Sequence, residues 1–517
     1  MNNQKLLSHK NALFYRFISH PKAIYYIVFF NLFLRTIVAA FSNLGVDEVY
    51  YTLYAKYLDY SYFDHPPMVG WAIWLTTFGN TLETEFFVRL SAIILGTVNL
   101  ILIYKIGCKI GNRRTGIIAA LMFSGSFYAS IIAGVFILPD TPQSFFWMLS
   151  LLFFIKFIKN KNDNFLLFFG VFVGLALLSK YHAVFLWIGA FIYLFLKEKK
   201  SFFNPKLYLS LGLSFIIFLP VLVWNFVSPY SGISYHENRV ITQGILPNFK
   251  NFFPEFFGEI FYNNPFNVFL IVASLVILLR IPKETFRNNY VVFLLSTSLP
   301  LIFVVIFMSL YNKTLPHWSG PAYYSLILIA AKSFSKNKFF YTKKLRISLV
   351  SAQILIVLVI LMGLFQIKTG MLFGNSEKKT EELGKDDFTL DMAMWNTIAE
   401  ELKKQIPEDA VIITHNWFPA AHLDFYFSGK NNSKIYVLGD RDKLHQYLKI
   451  NKERSPISVG STVFYITTSR YYQEPSQEIK RKFRTVSARK TIPIKNFHKT
   501  RLNVFIWKMD GLKASLN

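Results

Sequence analysis

Charged side chains are scarce in this chain, at 17% of 517 residues. An ordinary soluble protein carries about 25% charged residues. This chain also holds 55 phenylalanines, and its mean hydropathy is +0.34. Long apolar runs fill residues 23–366, whereas the remainder has an ordinary soluble composition. The pattern argues against a soluble enzyme and predicts a membrane domain followed by a soluble one, with the boundary near Lys368.

Cysteine and the common cofactor motifs are also nearly absent. Cys108 is the single cysteine, so no intramolecular disulfide can form. The sequence has no P-loop, no nucleotide-binding glycine fingerprint and no closely spaced histidine pair. The sequence therefore identifies no cofactor with certainty. A divalent metal stays open, because oxygen and nitrogen ligands are available at Asp47, Asp64, His65, Asp140 and His317.

Acidic residues are few, and the formal net charge is +26. Many of the lysines and arginines cluster in short loops between apolar runs, which is the usual topology signal of membrane proteins. No recognition motif accompanies the charge, so the pattern argues against nucleic acid as a partner. The segment beyond Lys368 is also basic, and such a face can meet anionic lipid headgroups or a phosphorylated substrate.

The apolar runs between basic clusters predict membrane spans. A span needs about 20 residues, and we expect about eleven, near residues 23–42, 88–106, 114–134, 142–158, 164–179, 182–196, 207–226, 266–281, 290–309, 318–332 and 347–366. The first run is too long for a typical signal peptide, so it is expected to be an anchor. Because the number is odd, residues 1–22 are expected in the cytoplasm and residues 367–517 outside it.

This topology places most of the unusual polar residues on the extracytoplasmic face. They are Asp47, Glu48, Asp64, His65, Asp140, Lys180, His182, His236, Glu237, Arg239, Lys313 and His317. An outward-facing site is therefore predicted. Within the first external loop, residues 43–87, helical spacing of Val49, Leu53 and Tyr57 predicts helices lying in the membrane interface, with Tyr and Trp at headgroup level.

Residues 367–517 predict a small α/β domain. A helix is expected over 392–405, and strands over 410–414, 434–438, 461–467 and 503–507, each bounded by turn residues. Alternation of strands with helices is typical of an α/β sandwich. The predicted fold is thus a polytopic α-helical membrane protein with a C-terminal extracytoplasmic α/β domain.

Carboxylates beside a membrane span are the candidate catalytic groups. Asp47 and Glu48 directly follow the first span, where adjacent charges are tolerated if they face water, a cavity or a charged substrate. Asp47 can also cap a helix, and Glu48 can interact with the dipole of a first helical turn. Asp64 and His65 are candidates for substrate binding or for a turn before two prolines.

A second set of candidates lies at the predicted external ends of later spans. Asp140 is a candidate catalytic group, or a cap of the fourth span. Lys180 is predicted at an external span end, whereas lysines usually lie in cytoplasmic loops. A phosphate partner therefore explains its position better than a side chain that only extends from the span end towards the membrane surface. His182, Lys313 and His317 are further candidates for binding a phosphate, and His317 can alternatively anchor the interface with Trp318.

Several of these motifs follow one another in a recognisable order. The Asp47–Glu48 pair, the segment 62–67 and Arg89–Leu90 resemble the first part of the protein O-mannosyltransferase / lipid A aminoarabinose transferase superfamily. Later segments that resemble the same superfamily are 138–141, 174–180 and 315–318, and the resemblance covers about residues 25–335. The C-terminal segment is similar only in position and size.

The resemblance implies the C-type membrane glycosyltransferase fold and transfer of a sugar from a polyprenyl-phosphate carrier on the outer membrane face. It assigns Asp47 to the catalytic acidic position of the first external loop and Asp140 to the second acidic position. Asp64-His65-Pro66-Pro67 replaces the Lys-Pro arrangement common in aminoarabinose transferases. The donor and acceptor of those enzymes therefore do not carry over unchanged.

The predicted function is a multi-pass glycosyltransferase, using a hexose or pentose, of a bacterial inner (cytoplasmic) membrane. Its partners would be membrane lipids, a polyprenyl-phosphate sugar, and an acceptor that is lipid A, another envelope glycan or a protein. The alternative is a transporter or flippase of lipid-linked sugars, for which internal repeats and polar groups near the midplane would be expected. A third hypothesis is an inactive subunit with the same fold. The presence of the candidate site residues Asp47, Asp140 and Lys180 argues against it.

Overall fold

The computed structural model describes residues 9–230, 232, 247–336, 342–373, 379–429, 433–497 and 499–514. Its first two thirds are helical. The helices are α1 (His9–Ser19), α2 (Ala23–Phe41), α3 (Val46–Lys56), α4 (Met68–Thr76), α5 (Glu85–Ile110), α6 (Arg113–Gly125), α7 (Asp140–Asn160), α8 (Asn164–Leu177), α9 (Val184–Lys197), α10 (Pro205–Val227), α11 (Phe249–Tyr262), α12 (Pro265–Arg280), α13 (Pro282–Arg287), α14 (Asn289–Ser309), α15 (Gly320–Lys336) and α16 (Thr342–Thr369).

Each of the eleven predicted spans overlaps a helix of this set, but the predicted span 114–134 is interrupted, because α6 ends at Gly125 and a π-helical turn follows at Tyr128–Ile132. Six helices are long and apolar enough to cross a membrane singly: α2, α5, α7, α10, α14 and most of α16. The pair α11–α12 bends by 94° and would form a seventh broken or re-entrant span, while α8 and α9 are shorter apolar helices. The protein is therefore a multi-pass membrane protein, and the number eleven stays a prediction.

Small residues allow the membrane helices to pack closely. A Cβ on Gly170 of α8 would lie 2.2 Å from the backbone oxygen of Ser210 in α10, so only glycine permits this approach. Serines of α10 satisfy their hydroxyls on the neighbouring helix, as Ser214 does by donating to the Gly170 carbonyl at 2.5 Å. Aromatic packing adds to the core, where Phe154 stacks on Phe293 with ring centroids 4.2 Å apart.

A six-stranded sheet organises the C-terminal domain, residues 379–514. Its strands are β1 (Val411–Thr414), β2 (Lys434–Val437), β3 (Val463–Thr468), β4 (Phe483–Val486), β5 (Lys490–Asn496) and β6 (Lys499–Leu512). The order is β2-β1-β3-β6-β4, with β5 also paired to β6; β1 is parallel to β2 and β3, and β6 is antiparallel to its neighbours. The helices are α17 (Trp395–Lys403), α18 (Trp417–Leu423), α19 (Arg441–Leu444), α20 (Tyr447–Glu453) and α21 (Gln477–Arg481).

The four predicted strands are present as β1, β2, β3 and β6, but β4 and β5 were not predicted. The residues of β4 are largely exposed, and β5 carries lysines and Pro493, all of which weaken a strand pattern. Proline is tolerated in β5 because a strand at a sheet edge does not need every backbone donor.

The loop between α2 and α5 packs under the C-terminal domain. In α3, the side chains of Tyr50, Tyr51 and Tyr54 are buried, and they share an apolar cluster with Ile398 and Phe427. Protein rather than lipid therefore covers the apolar face of α3, and the position of α3 in the membrane interface stays a prediction. In α4, Trp74 and Leu75 are exposed, as a helix in the interface would be.

Candidate active site

A buried ion pair fixes the first turn of α3. The Glu48 carboxylate accepts hydrogen bonds from Arg89 Nε at 2.7 Å and from Arg89 Nη2 at 2.5 Å. Glu48 also accepts the backbone N–H groups of Gly45 at 2.9 Å and Ile137 at 3.2 Å. Both carboxylate oxygens thus accept two hydrogen bonds each, and the catalytic role of Glu48 stays a prediction.

Arg89 completes this anchor at the end of α2. Its Nη1 donates to the Ser42 carbonyl at 2.9 Å and to the Ser42 hydroxyl at 3.0 Å, and its Nη2 donates to the Asn43 carbonyl at 2.8 Å. The orphan carbonyls at a helix C-terminus need such donors. One guanidinium therefore joins the ends of α2 and α5 to the start of α3.

Asp47 is held beside this anchor with its side chain exposed. Gly45 occupies the N-cap, so Asp47 is the second residue of α3 and the capping alternative is not realised. Although the side chain is exposed, neighbouring protein atoms desolvate its carboxylate in part. Desolvation, followed by the charges of Asp64, Glu48 and Asp391, raises the pKa of Asp47 to about 6.

Asp64 lies in the turn before the two prolines, and its carboxylate is well satisfied. It accepts a hydrogen bond from the Tyr50 hydroxyl at 3.0 Å and another from the Tyr54 hydroxyl. His445 of the C-terminal domain brings its Nδ1 within 3.5 Å of Asp64 Oδ2. Burial raises the pKa of Asp64, but these partners and His65 outweigh burial and hold that pKa below its ordinary value. Asp64 is therefore an ionised acceptor rather than a base.

Asp140 and Lys180, to which the sequence assigned separate roles, form one buried ion pair. Lys180 Nζ donates to Asp140 Oδ1 at 3.0 Å and to Oδ2 at 2.9 Å, and the Tyr128 hydroxyl donates to Oδ1 at 3.1 Å. Lys180 is only 4% exposed, so it does not snorkel towards the surface. Asp140 is the first residue of α7, where no side-chain cap is formed.

Two predicted histidines lie beside this pair. His317 is close enough to interact electrostatically with both Asp140 and Lys180, and its ring centroid lies 6.2 Å from that of Tyr262. The His182 ring lies 5.5 Å from that of Trp318, and its buried Nδ1 has no hydrogen-bond partner among the described residues. Lys313 is exposed and forms no ion pair in the described part of the chain.

Tyr51 connects the two groups of residues. Burial raises the pKa of its phenol well above the ordinary value, and the charges of Asp47, Asp64 and Asp140 add to that shift. Tyr51 therefore lies within electrostatic range of all three carboxylates. His65 stands on the same side, with its ring centroid 5.8 Å from that of Tyr51. The structure thus gathers Asp47, Asp64, His65, Asp140, Lys180, His182 and His317 into one polar region.

Sequence reasoning missed the residues that the C-terminal domain contributes. His445 contacts Asp64, and Gln446 accepts the Phe63 N–H at 3.0 Å while its own N–H donates to the Tyr50 hydroxyl at 3.2 Å. Asp391 adds negative charge near Asp47. No spacing or motif signals these contacts, because about 380 residues separate the partners in sequence. The predicted residues His236, Glu237 and Arg239 lie outside the described residues.

A resident metal gains no support from the ligand geometry. In the ranges that the structure describes, no group of three or more His, Cys, Asp or Glu side chains could hold a metal ion. The oxygens of Glu48 and Asp140 are instead committed to arginine and lysine. The arrangement can accept a proton at Asp47 and can place positive charge at Lys180.

Comparison with known proteins finds similar glycosyltransferases. A family model described as dolichyl-phosphate-mannose-protein mannosyltransferase matches residues 64–224. The chain is 22% identical over 297 residues to the lipid A galacturonosyltransferase RgtD of Rhizobium johnstonii. That match covers 56% of this chain and 60% of RgtD, so the chain spans less than two thirds of the length of this relative.

The fold is shared with a solved structure. ArnT from Cupriavidus metallidurans bound to undecaprenyl phosphate superposes with a TM-score of 0.64 at 12% identity, covering 94% of this chain and 98% of ArnT. Its apo state gives a TM-score of 0.61 at 12% identity, with coverage of 96% and 98%. The chain therefore has the fold of ArnT, and its sequence is similar to the dolichyl-phosphate-mannose-protein mannosyltransferase family over residues 64–224 and to RgtD over 297 residues.

Proposed function

We propose that this protein is a membrane glycosyltransferase that moves a sugar from a polyprenyl-phosphate donor to an acceptor outside the cytoplasm. The observation that carries the proposal is Asp47, an exposed carboxylate whose pKa is raised to about 6. A general base works best when its pKa lies near the operating pH. By contrast, Glu48, Asp64 and Asp140 have their carboxylates bound to other side chains.

In the proposed reaction, an acceptor hydroxyl attacks the anomeric carbon of the donor sugar while the bond from that carbon to the phosphate oxygen breaks. Asp47 takes the hydroxyl proton, and polyprenyl phosphate leaves with the bonding electron pair. The leaving phosphate gains negative charge in the transition state, which nearby cations stabilise. Lys180 supplies positive charge and is oriented by Asp140, which also accepts a hydrogen bond from the Tyr128 hydroxyl.

The known relatives support this donor and leave several acceptors open. ArnT is a protein solved with undecaprenyl phosphate, and RgtD is named for transfer of galacturonate to lipid A. For this chain the acceptor is lipid A, another envelope glycan or a protein, and the sugar is a hexose or a pentose. The transporter alternative gains no support from these relatives, of which RgtD is named as a transferase.

The proposed cellular arrangement follows from the basic loops. The chain lies in a bacterial inner membrane, with residues 1–22 in the cytoplasm, residues 23–366 as the transferase domain and residues 367–517 outside the cytoplasm. With that orientation, Asp47 and the C-terminal domain stand on the same side, as the contacts between His445 and Asp64 require.

The test is reconstitution of the purified chain with a polyprenyl-phosphate sugar and separate acceptor fractions of lipid, glycan and protein from the bacterial envelope. Mass spectrometry should find one fraction heavier by one sugar residue and should find free polyprenyl phosphate released in equal amount. A deletion strain should lose the same product and accumulate the lipid-linked donor. If neither product nor free carrier forms with any acceptor fraction, the proposal is wrong.

A further inference from the structure

A cavity in the C-terminal domain is separate from the region around Asp47. It has a volume of about 880 Å³ and lies between one face of the sheet and the segments that carry α19, α20 and α21. Small-molecule sites have volumes of roughly 300–1,000 Å³. The cavity is therefore large enough for a sugar or a short glycan.

The cavity opens where the sheet topology favours ligand binding. β1 lies between β2 and β3 and is parallel to both. The connection that leaves β1 leads to the strand on one side of it, and the next connection leads to the strand on its other side, so the strand order reverses at β1. In parallel sheets, ligands bind outside the carboxyl ends of the strands at such a switch point. His415 follows β1 directly, Gly439 follows β2, and Gln473 follows β3; all three line the cavity.

The floor of the cavity is polar and preformed. The Tyr465 hydroxyl donates to the Gln473 carbonyl at 3.0 Å and lies 3.3 Å from His415 Nδ1. His415 is 6% exposed and Tyr465 is 1% exposed, so their positions are fixed by packing. Burial, followed by the positive charge of Lys443, lowers the pKa of His415 to about 4, which keeps the imidazole neutral at pH 7.

Lysines are the most numerous charged side chains of the wall. Lys443, Lys452 and Lys482 line the cavity, and none of them forms an ion pair within the ranges that the structure describes. Two carboxylates, Asp440 and Glu478, also line it and can accept hydrogen bonds from sugar hydroxyls. Arg454 is not available for a ligand, because it is paired with Asp424 at 2.7 Å.

We propose that this cavity binds a sugar that carries an anionic phosphate group, with Lys443 and Lys482 contacting the phosphate. Lysine suits phosphate as a compact point charge, and the neutral His415 and the two carboxylates supply partners for hydroxyl groups. The segment that holds Lys443 continues directly into His445, which contacts Asp64. The cavity and the candidate active site therefore share one short backbone connection, from Lys443 to His445.

The test is isothermal titration of the full chain in detergent with α-D-glucose 1-phosphate, with glucose as the neutral probe. Undecaprenyl phosphate is present at saturation, so that the proposed donor site is occupied. We expect binding of the sugar phosphate and not of glucose. The charge reversal Lys443→Glu with Lys482→Glu should weaken binding at least tenfold, whereas Lys385→Glu, at an exposed lysine elsewhere in the domain, should not change it.

The unfolding temperature shows whether charge reversal disturbs folding. If it does, the milder pair Lys443→Gln with Lys482→Gln removes both charges without reversing them. Phosphatidic acid in micelles distinguishes a lipid headgroup from a soluble ester: if only the lipid binds and both pairs of variants lose it, the phosphate comes from a lipid. Absence of binding by either phosphate ester overturns the proposal, as does binding that all lysine variants retain. Because transfer is not measured, failure here is distinct from failure of the proposed transferase activity.

Discussion

Lys180 and Asp140 are joined at both carboxylate oxygens, at 3.0 and 2.9 Å, although 40 residues separate them. Both side chains are almost fully buried, at 5% and 3% exposure. A buried pair of this kind contributes little net stability, yet loss of one partner leaves an uncompensated charge. Lys180 is therefore held in place by Asp140, and the proposed action of Lys180 on a phosphate depends on that partner.

Lys180→Ala should destabilise the protein as well as slow transfer, because Asp140 is left buried without its cation. The expected loss is about 3–5 kcal/mol. The double variant Lys180→Ala with Asp140→Ala should recover much of the unfolding temperature but not the activity. Thermal unfolding in detergent and turnover, measured on the same samples, check both effects. Recovery of turnover in the double variant would show that the pair is structural alone.

Asp47→Asn should strongly reduce transfer, because it removes the proposed base. The unfolding temperature should stay within about a degree or two of that of the parent, since the amide keeps the size of the side chain and the exposed carboxylate forms no ion pair among the described residues. General-base catalysis typically contributes 10²–10⁴-fold, so turnover should fall by about that factor. Glu83→Gln removes an exposed carboxylate of the same loop and serves as the matched control. Equal turnover of Asp47→Asn and the control would remove Asp47 from the mechanism.

Activity should fall below about pH 6, because protonation of Asp47 removes the base and desolvation raises the pKa of Asp47 to about 6. On that acid limb, kcat/KM should fall tenfold for each unit of pH. The charge of Asp64 is the next cause of the raised pKa. Asp64→Asn should therefore move the acid limb to lower pH. A profile whose limb stays in place in Asp64→Asn, with activity retained, would contradict this electrostatic coupling.

The sequence predicted the positions of the membrane helices and the clustering of polar residues near one face, since hydropathy and the basic loops depend only on local composition. It did not predict which polar residues pair. Asp140 at the start of α7 and Lys180 after α8 meet only because the two helices pack antiparallel, and Glu48 meets Arg89 across α3 and α5. The helical pattern of α3 predicted an apolar face but could not show whether lipid or protein covers that face. The burial of α3 under the C-terminal domain was therefore not predicted.

The C-terminal domain is expected outside the cytoplasm, because the span count that the basic loops predict is odd. In a Cys108→Ser background, a cysteine introduced by Ser458→Cys stands at an exposed position of that domain, whereas Lys200→Cys stands at an exposed position of the loop after α9, which is predicted to be cytoplasmic. A membrane-impermeant thiol reagent, applied to cells with a permeable outer layer, should label the first and not the second. Both should react after the inner membrane is lysed, which shows that each site is accessible. Labelling of Lys200→Cys in intact cells, together with protection of Ser458→Cys, would show the opposite topology. Asp47 would then face the cytoplasm, because the contact of His445 with Asp64 holds this loop on the side of the C-terminal domain.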